Sequence, residues 1–299
     1  MRRAVAGLAL FSVALTALAA APTSSRLVFD GRAALRHVEA MVAIGPRPAG
    51  SPAGGRARDY IVAALRAAGV QARVEAFEAD TPHGRLAMAN VVGVVRGRRP
   101  DVILVGGHYD TKWFKELPFV GANDGGSSTG LLLELARRLT GAPREFTYWV
   151  VFFDGEEARE TWTARDSLYG SRRMAEDLAR RRALPRAVIV ADMIGDRDLA
   201  IRRESLSTPW LQDVLWESAR RLGHRRHFLE DGLTVEDDHA PFLRAGVPAA
   251  LLIDFDYPPW HTADDTLDKV SAQSLQAVGE VVLDALPRIE ARLARADRR

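Results

Sequence analysis

Short apolar runs alternate along the chain with longer segments in which apolar residues recur three and four positions apart. Runs rich in β-branched and aromatic residues predict buried strands, and the three-and-four spacing predicts amphipathic helices. The clearest run is 148–153, in which every residue is β-branched or aromatic. The predicted strands are 70–77, 87–95, 102–105, 147–153, 187–190 and 249–253.

The predicted helices lie before, between and after these strands. Pro287 is expected to kink or end the last helix, because proline lacks an amide hydrogen and its ring clashes with the preceding turn, and a short helical tail could follow it. Strands that alternate with helices favour a mostly parallel sheet covered on both faces. The pattern, which contains no internal repeat, therefore predicts one α/β domain. The predicted helices are 33–42, 54–68, 126–139, 168–181, 206–222 and 270–286.

The composition is that of an ordinary globular protein and leaves this picture unchanged. Hydrophobic residues make up 47% of the 299 residues and charged residues 27%. The formal net charge is +2, and most of the basic residues are arginines. They are scattered or lie on predicted helix faces, as in Arg180-Arg181-Arg182, which indicates solvated faces and no nucleic-acid partner.

The N-terminal segment is typical of a secretory signal. Two arginines precede the apolar stretch 4–15, and small-x-small cleavage sites end at Ala19 and Ala21. We expect a signal peptide over 1–21 and a secreted or periplasmic domain over 22–299, with no stable membrane insertion after cleavage. An uncleaved membrane anchor is the alternative, because the stretch approaches spanning length. The chain has no cysteine, so its stability must come from its core.

Two adjacent glutamates, Glu156 and Glu157, follow the clearest apolar run after an Asp-Gly turn. In open α/β sheets, ligands bind at the carboxyl edge of the strands. One of two neighbouring carboxylates can hold a metal while the other moves a proton. His108 and Asp192 also follow predicted strands, and His261 lies in the loop after a fourth. We therefore expect these side chains to meet at one edge of the sheet.

Further carboxylates stand in short, motif-like contexts, among them Asp110, Asp124 and Asp237. A set of histidine and carboxylate ligands without thiols suits a catalytic zinc ion. A lone aspartate after a strand is more often a helix cap than a ligand, and Asp237 could simply cap the helix that starts near His239. The prediction of a zinc site therefore depends on six such segments gathering at one sheet edge.

Longer motifs extend over nearly the whole of the predicted mature chain. They are Gly50-Ser-Pro52, Thr81-Pro-His-Gly84, His108-Tyr-Asp-Thr-Lys112, Phe119-Val-Gly-Ala-Asn-Asp124, Phe152-Phe-Asp-Gly-Glu-Glu-Ala158, Trp162, Asp166-Ser-Leu-Tyr-Gly-Ser171, Glu236-Asp-Asp-His-Ala-Pro-Phe-Leu243 and Trp260-His-Thr-Ala-Asp-Asp265. With these motifs the chain resembles the glutaminyl-peptide cyclotransferases, zinc enzymes that convert N-terminal glutamine to pyroglutamate. The resemblance implies a single-domain, zinc-aminopeptidase-like three-layer α/β sandwich with a mixed, mostly parallel central sheet.

The resemblance also implies the roles of the acidic residues. One zinc ion would be held by Asp124, Glu157 and His261, and Glu156 would be the proton shuttle. The substrates would be the N-termini of peptides or proteins that begin with glutamine. The zinc ion would stabilise the negative charge that develops on the side-chain amide, and Glu156 would return a proton to the departing ammonia.

Further residues would complete the site by the same resemblance. Asp192 and Asp237 would form an acidic hydrogen-bond network beside the proton shuttle, and Trp162 and Trp260 would line the substrate pocket. Two simpler interpretations stay open, namely that Trp162 anchors a surface loop and that Trp260 packs in the core. The segment Asp254-Phe-Asp256 departs from the family pattern, because a more apolar loop is expected there.

The number of metal ions separates the two leading functions. In the aminopeptidases of this fold, the residues equivalent to His108 and Asp192 hold a second zinc ion. The alternative function is therefore an exported di-zinc aminopeptidase that removes N-terminal residues with metal-activated water. A third hypothesis is a catalytically inactive peptide-binding module, which predicts a broken ligand set, and no ligand position in this chain is broken.

Overall fold

The computed structural model describes residues 28–141 and 143–298. The predicted signal peptide at 1–21 lies outside the described residues. Within them, no helix combines the length and the apolar character that crossing a membrane requires. The helices are α1 (Gly31–Ile44), α2 (Pro52–Ala67), α3 (Gly126–Leu139), α4 (Tyr169–Arg180), α5 (Pro209–Leu222), α6 (Ala240–Arg244) and α7 (Ala272–Ala296). The strands are β1 (Gln71–Thr81), β2 (Gly84–Val95), β3 (Val102–His108), β4 (Thr147–Phe153), β5 (Ala187–Asp192), β6 (Ile201–Glu204), β7 (Phe228–Leu233) and β8 (Ala249–Ile253).

A six-stranded mixed sheet forms the centre of the molecule, in the order β1-β2-β4-β3-β5-β8. The strands β4, β3, β5 and β8 run parallel, and the hairpin β1-β2 joins β4 in antiparallel orientation. In the register of β3 and β4, His108 lies opposite Phe153. The parallel strands therefore bring the residues that follow them to a common edge, as the sequence predicts.

The two faces of the sheet are covered by different helices, because successive side chains of a strand point to opposite sides. Val150 and Phe152 of β4 belong to a core shared with α1, α2, α3, α5 and α7. Val151 and Phe153 belong to a second core shared with α4 and α6. The predicted three-layer α/β sandwich is therefore confirmed.

Among the described residues, two short strands are additional to the predicted elements, whereas the short helix α6 begins next to His239, where a helix is expected. Strands β6 and β7 pair in parallel as a small separate sheet, and α6 is a single short helix. Their sequences, IRRE and FLEDGL for the strands, carry charges and lack an apolar run. The spacing of apolar residues therefore does not predict these strands.

Of the two expected effects of Pro287, a kink or an end of the last helix, the end is wrong. Helix α7 includes Pro287 and continues to Ala296. Ile289 and Leu293, beyond the proline, are buried in the larger core. Burial of these side chains offsets the hydrogen bond that proline removes.

Candidate active site

Three loops at the carboxyl edge of the sheet bring one aspartate, one glutamate and one histidine together. Asp124 precedes α3, Glu157 follows β4, and His261 lies in the loop after β8. The Nε2 atom of His261 is 3.0 Å from Oε1 of Glu157 and 3.4 Å from Oδ2 of Asp124. One ligand atom from each residue lies within 4.8 Å of the others. This group has the composition and the spacing of a metal site.

A second group of potential ligands shares Asp124. The Nε2 atom of His108 is 3.0 Å from Oδ1 of Asp192 and 3.1 Å from Oδ1 of Asp124. Its ligand atoms also lie within 4.8 Å of one another. Asp124 therefore directs one carboxylate oxygen towards His108 and the other towards His261, so that its carboxylate stands between the two groups.

The electrostatics of the first group fit a bound cation. Burial lowers the pKa of His261, but the carboxylates of Glu157 and Asp124 outweigh it and raise that pKa to about 10. Burial and the charge of Asp124 raise the pKa of Glu157 to about 7. Oδ2 of Asp124 is buried without a hydrogen-bond donor. A divalent cation would replace the imidazolium proton and balance two buried carboxylates.

Glu156 lies beside this group and belongs to neither ligand set. It is buried, and its main-chain N–H donates to Oδ1 of Asp110 at 3.1 Å. The preceding Gly155 has a φ of +68°, and an added Cβ would approach the sulfur of Met88 to 2.7 Å. Glycine therefore permits the turn that separates the strand end from Glu156. Burial, together with the neighbouring charge of Glu157, raises the pKa of Glu156 well above its usual value.

Asp192 and Asp237 both line the same cavity as Glu156. Burial and the charge of Asp192 raise the pKa of Asp237 to about 7. The side chain of Asp237 accepts a hydrogen bond from the N–H of Asp238, at the start of the turn that leads into α6. The N-cap residue of α6 is His239, and no side chain caps this helix, so the interpretation of Asp237 as a helix cap is wrong; Asp237 faces the cavity.

The cavity has a volume of about 390 Å³ and an aromatic rim. Trp162, Phe255 and Trp260 line it, with exposed fractions of 40%, 43% and 40%. The ring of Trp260 stacks on His261 with centroids 4.2 Å apart, and Phe255 lies 4.8 Å from Trp260. Trp260 therefore does not pack in the core, and both predicted tryptophans face the cavity.

The acidic segment 254–256 keeps its charges away from this cavity. The carboxylate of Asp254 accepts hydrogen bonds from the N–H groups of Ala200 and Asp256. Asp256 pairs with Arg202 at 3.4 Å. Phe255, which lies between the two acids, was not identified from the sequence, although its place shortly before the predicted Trp260 is a usable signal. The loop thus presents an aromatic wall, and the departure from the family pattern does not reach the cavity.

Two further residues support the site, although no role was predicted for them from the sequence. The carboxylate of Asp265 accepts hydrogen bonds from the N–H groups of Asn123 and Asp124, at 2.8 and 3.1 Å. Arg47 is fully buried, and its guanidinium donates to the carbonyl oxygens of Tyr109 and Gly121. Both residues fix the loops that carry the candidate ligands. Their partners lie far away along the chain. The only sequence signals for these two residues are the position of Arg47 between two prolines and the Asp-Asp pair that ends at Asp265.

The fold and the two ligand groups define a metallopeptidase-like protein, and comparison with known families agrees. Residues 90–286 match the model of peptidase family M28, and the chain belongs to this family.

Individual relatives of the chain define a narrower family than M28. It is 34% identical over 253 residues to the bovine glutaminyl-peptide cyclotransferase-like protein, covering 74% of this chain and 66% of that relative, just under two thirds. It is 30% identical over 278 residues to the bovine glutaminyl-peptide cyclotransferase, covering 78% of this chain and 76% of the relative. The protein belongs to the glutaminyl-peptide cyclotransferase family, and the predicted resemblance is confirmed.

A solved structure supports the same assignment. The crystal structure of an Acidobacteriales bacterium glutaminyl cyclase superposes with a TM-score of 0.87 at 40% sequence identity. The match covers 92% of this chain and 100% of the other. The similarity therefore extends over most of the chain and not over the central sheet alone.

Proposed function

We propose that the protein cyclises the N-terminal glutamine of peptides and proteins to pyroglutamate and releases ammonia. The observation that carries the proposal is the position of Glu156, a buried carboxylate beside a three-ligand group that lies in a cavity with an aromatic rim. Membership of the cyclotransferase family supports the choice of substrate.

The reaction needs one positive centre and one proton carrier. A zinc ion held by Asp124, Glu157 and His261 would supply positive charge that stabilises the oxygen of the substrate's side-chain amide. The α-amine nitrogen forms a bond to the amide carbon, and the bond from that carbon to the side-chain nitrogen breaks. Glu156 accepts a proton from the amine and delivers it to the leaving group, which departs as ammonia. Asp192 and Asp237 would supply further acidic side chains beside it, since both line the same cavity.

The rim of the cavity holds the substrate in the reactive shape. Cyclisation is intramolecular, so much of the rate advantage comes from keeping the flexible glutamine side chain folded towards its own amine. Trp162 and Trp260 provide large, rigid apolar surfaces for this packing. The aromatic rim thereby packs against the glutamine side chain and shields the reacting atoms from water.

The test offers the purified protein two dipeptides, Gln-Ala and Leu-Ala. The cyclotransferase proposal predicts pyroglutamyl-Ala and one ammonia per Gln-Ala consumed, with Leu-Ala unchanged. Hydrolysis of Leu-Ala without cyclisation of Gln-Ala would assign the protein to the aminopeptidases.

One observation favours a second candidate, the di-zinc aminopeptidase. His108, Asp124 and Asp192 form a complete second ligand group that shares Asp124 with the first. Metal analysis of active protein separates the candidates, because cyclisation in our proposal uses one zinc ion per chain. Two tightly bound zinc ions per chain, with each needed for activity, would favour peptide hydrolysis.

We further propose that the protein is exported as a catalytic domain comprising 22–299. The proposal rests on the basic, apolar and small-x-small pattern of residues 1–21. Expression of the full chain in a bacterium with a periplasm, followed by N-terminal sequencing, is the test. A mature protein that begins after Ala19 or Ala21 is expected. An intact N-terminus in the membrane fraction would indicate the anchor instead.

A further inference from the structure

The loop between β4 and α4 carries Trp162 at its outer side, and we call residues 157–167 the Trp162 loop. Its base is closed by two main-chain hydrogen bonds of 2.8 Å, from Leu168 N–H to the carbonyl of Glu156 and from Tyr169 N–H to the carbonyl of Gly155. The loop therefore begins at the proposed proton carrier. Residues 160–165 are exposed, so a hydrophobic core of its own cannot hold the loop in shape.

A buried carboxylate holds the part of the loop before Trp162. The side chain of Asp166 is 5% exposed and accepts hydrogen bonds from three consecutive main-chain N–H groups. These are the N–H groups of Arg159, Glu160 and Thr161, at 2.7, 2.9 and 3.0 Å. Hydrogen bonds to an ionised acceptor are stronger than neutral ones. Asp166 thus fixes the backbone directly before Trp162.

A guanidinium from α4 holds the part of the loop after Trp162. Arg172 donates three hydrogen bonds to main-chain carbonyl oxygens, from Nε to Ser167 at 3.1 Å, from Nη1 to Ala164 at 2.9 Å and from Nη2 to Arg165 at 3.1 Å. The planar fork of arginine suits such multiple bonding. Two charged side chains therefore hold the backbone on both sides of Trp162, Asp166 from within the loop and Arg172 from α4.

We propose that Asp166 and Arg172 are positioning residues that hold Trp162 over the cavity before substrate arrives, and so set the affinity for N-terminal glutamine. The inference rests on the proposed cyclotransferase function. A loop that is already ordered does not have to be immobilised during binding, so less binding free energy is lost to conformational entropy. Neither residue touches the reacting atoms, so the chemical step itself does not depend on them.

The main test measures KM and kcat for Gln-Ala with the Asp166→Asn variant. An amide cannot accept three N–H bonds with two equivalent oxygens, so the loop loses its anchor. We expect KM to rise by roughly tenfold and kcat to stay within about threefold of the original. Asp177→Asn, which removes the same charge from a side chain on α4 outside the loop, is the matched control and should leave both parameters unchanged.

A double-mutant cycle separates positioning of Trp162 from a general structural role. In a Trp162→Ala background, Asp166→Asn should change KM by less than about twofold, because the side chain that it positions is absent. An equal rise in KM in both backgrounds would overturn the proposal. Arg172→Met, which acts from the helix, should repeat the pattern and provides the measurement if the Asp166 variant does not fold.

Limited digestion with trypsin gives a readout that does not depend on catalysis. Arg159 and Arg165 lie in the Trp162 loop, so loosening the loop should expose the bonds after them. Cleavage there should be faster in Asp166→Asn than in Asp177→Asn. If neither the original protein nor any variant cyclises Gln-Ala, the proposed function is wrong. The rate of digestion still shows whether Asp166 holds the loop in place. Unchanged digestion together with unchanged KM would overturn the positioning role.

Discussion

The floor and the rim of the cavity are built in different ways. The floor consists of buried polar side chains at strand ends, such as Glu156 and Glu157, which are 6% and 3% exposed. The rim consists of aromatic side chains on loops, such as Trp162 and Trp260, which are 40% exposed. The sheet edge and buried hydrogen bonds of Arg47 and Asp265 position the floor, whereas hydrogen bonds of exposed loops position the rim. We therefore expect changes in the floor to alter the rate and changes in the rim to alter affinity.

Removal of the metal is the largest expected effect. A chelator should abolish cyclisation of Gln-Ala, and added zinc should restore it, because the positive charge over the amide oxygen is lost. At a free zinc concentration of 1,000 times its Kd, binding stabilises the folded state by about 4 kcal/mol, so Tm should fall by several degrees. Full turnover after complete removal of zinc would contradict the proposed chemistry of the floor.

Glu156→Gln tests the proton carrier with the size of the side chain preserved. We expect kcat to fall by about 10³-fold, within the range usual for loss of a general base. The zinc content should stay unchanged, because Glu156 is in neither ligand group. Glu176→Gln, on the exposed side of α4, is the control. Loss of zinc from the Glu156 variant would overturn this division of roles.

Trp162→Ala and Trp260→Ala test the rim. Both should raise KM by roughly tenfold, because the glutamine side chain loses apolar contact area. Only the Trp260 variant should also lower kcat, because its ring stacks on the candidate ligand His261. Steady-state kinetics with Gln-Ala provide the measurement. If both variants lower kcat at unchanged KM, the idea that the rim sets affinity and the floor sets the rate is wrong.

The smallest expected effect is on the pH dependence of stability and concerns Asp254, next to Phe255 in the cavity wall. Burial raises the pKa of Asp254 from 3.8 to about 6. The folded state therefore binds this proton more tightly than the unfolded state, and its contribution to stability is lost as the pH rises from 3.8 through about 6. In Tm measured against pH, Asp254→Asn should flatten the curve over this range. Parallel curves for the two proteins would refute the assignment.

The central sheet and the candidate ligands could be predicted from the sequence because both have local signals. The apolar run 148–153 and the pair Glu156 and Glu157 lie in one short segment. The sequence alone therefore shows that a buried strand carries these two carboxylates at its end. Strand β6 gave no such signal, because its four residues include three charged ones. Pro287 misled because its local effect is offset by side-chain burial further along α7.

The supporting residues could not be predicted, because their partners are distant in sequence. Asp265 bonds the N–H of Asn123 across 142 positions, and Arg47 bonds the carbonyl of Gly121 across 74. The same difficulty applies to His239, whose Nε2 lies 3.1 Å from the buried Glu204. Such pairs depend on how separate elements pack, and a single sequence carries no pattern for them.

By itself, the sequence determined which residue types stand at the ends of the strands and therefore which chemistry the edge of the sheet can offer. Only the tertiary structure decided which way the side chains face. Phe255 enters the cavity while Asp254 and Asp256 turn away, because hydrogen-bond donors from Ala200 and Arg202 hold the two acids. Side-chain direction depends on partners brought near by folding, and this is why Phe255 became visible as part of the rim only in three dimensions, whereas Trp162 and Trp260 were predicted.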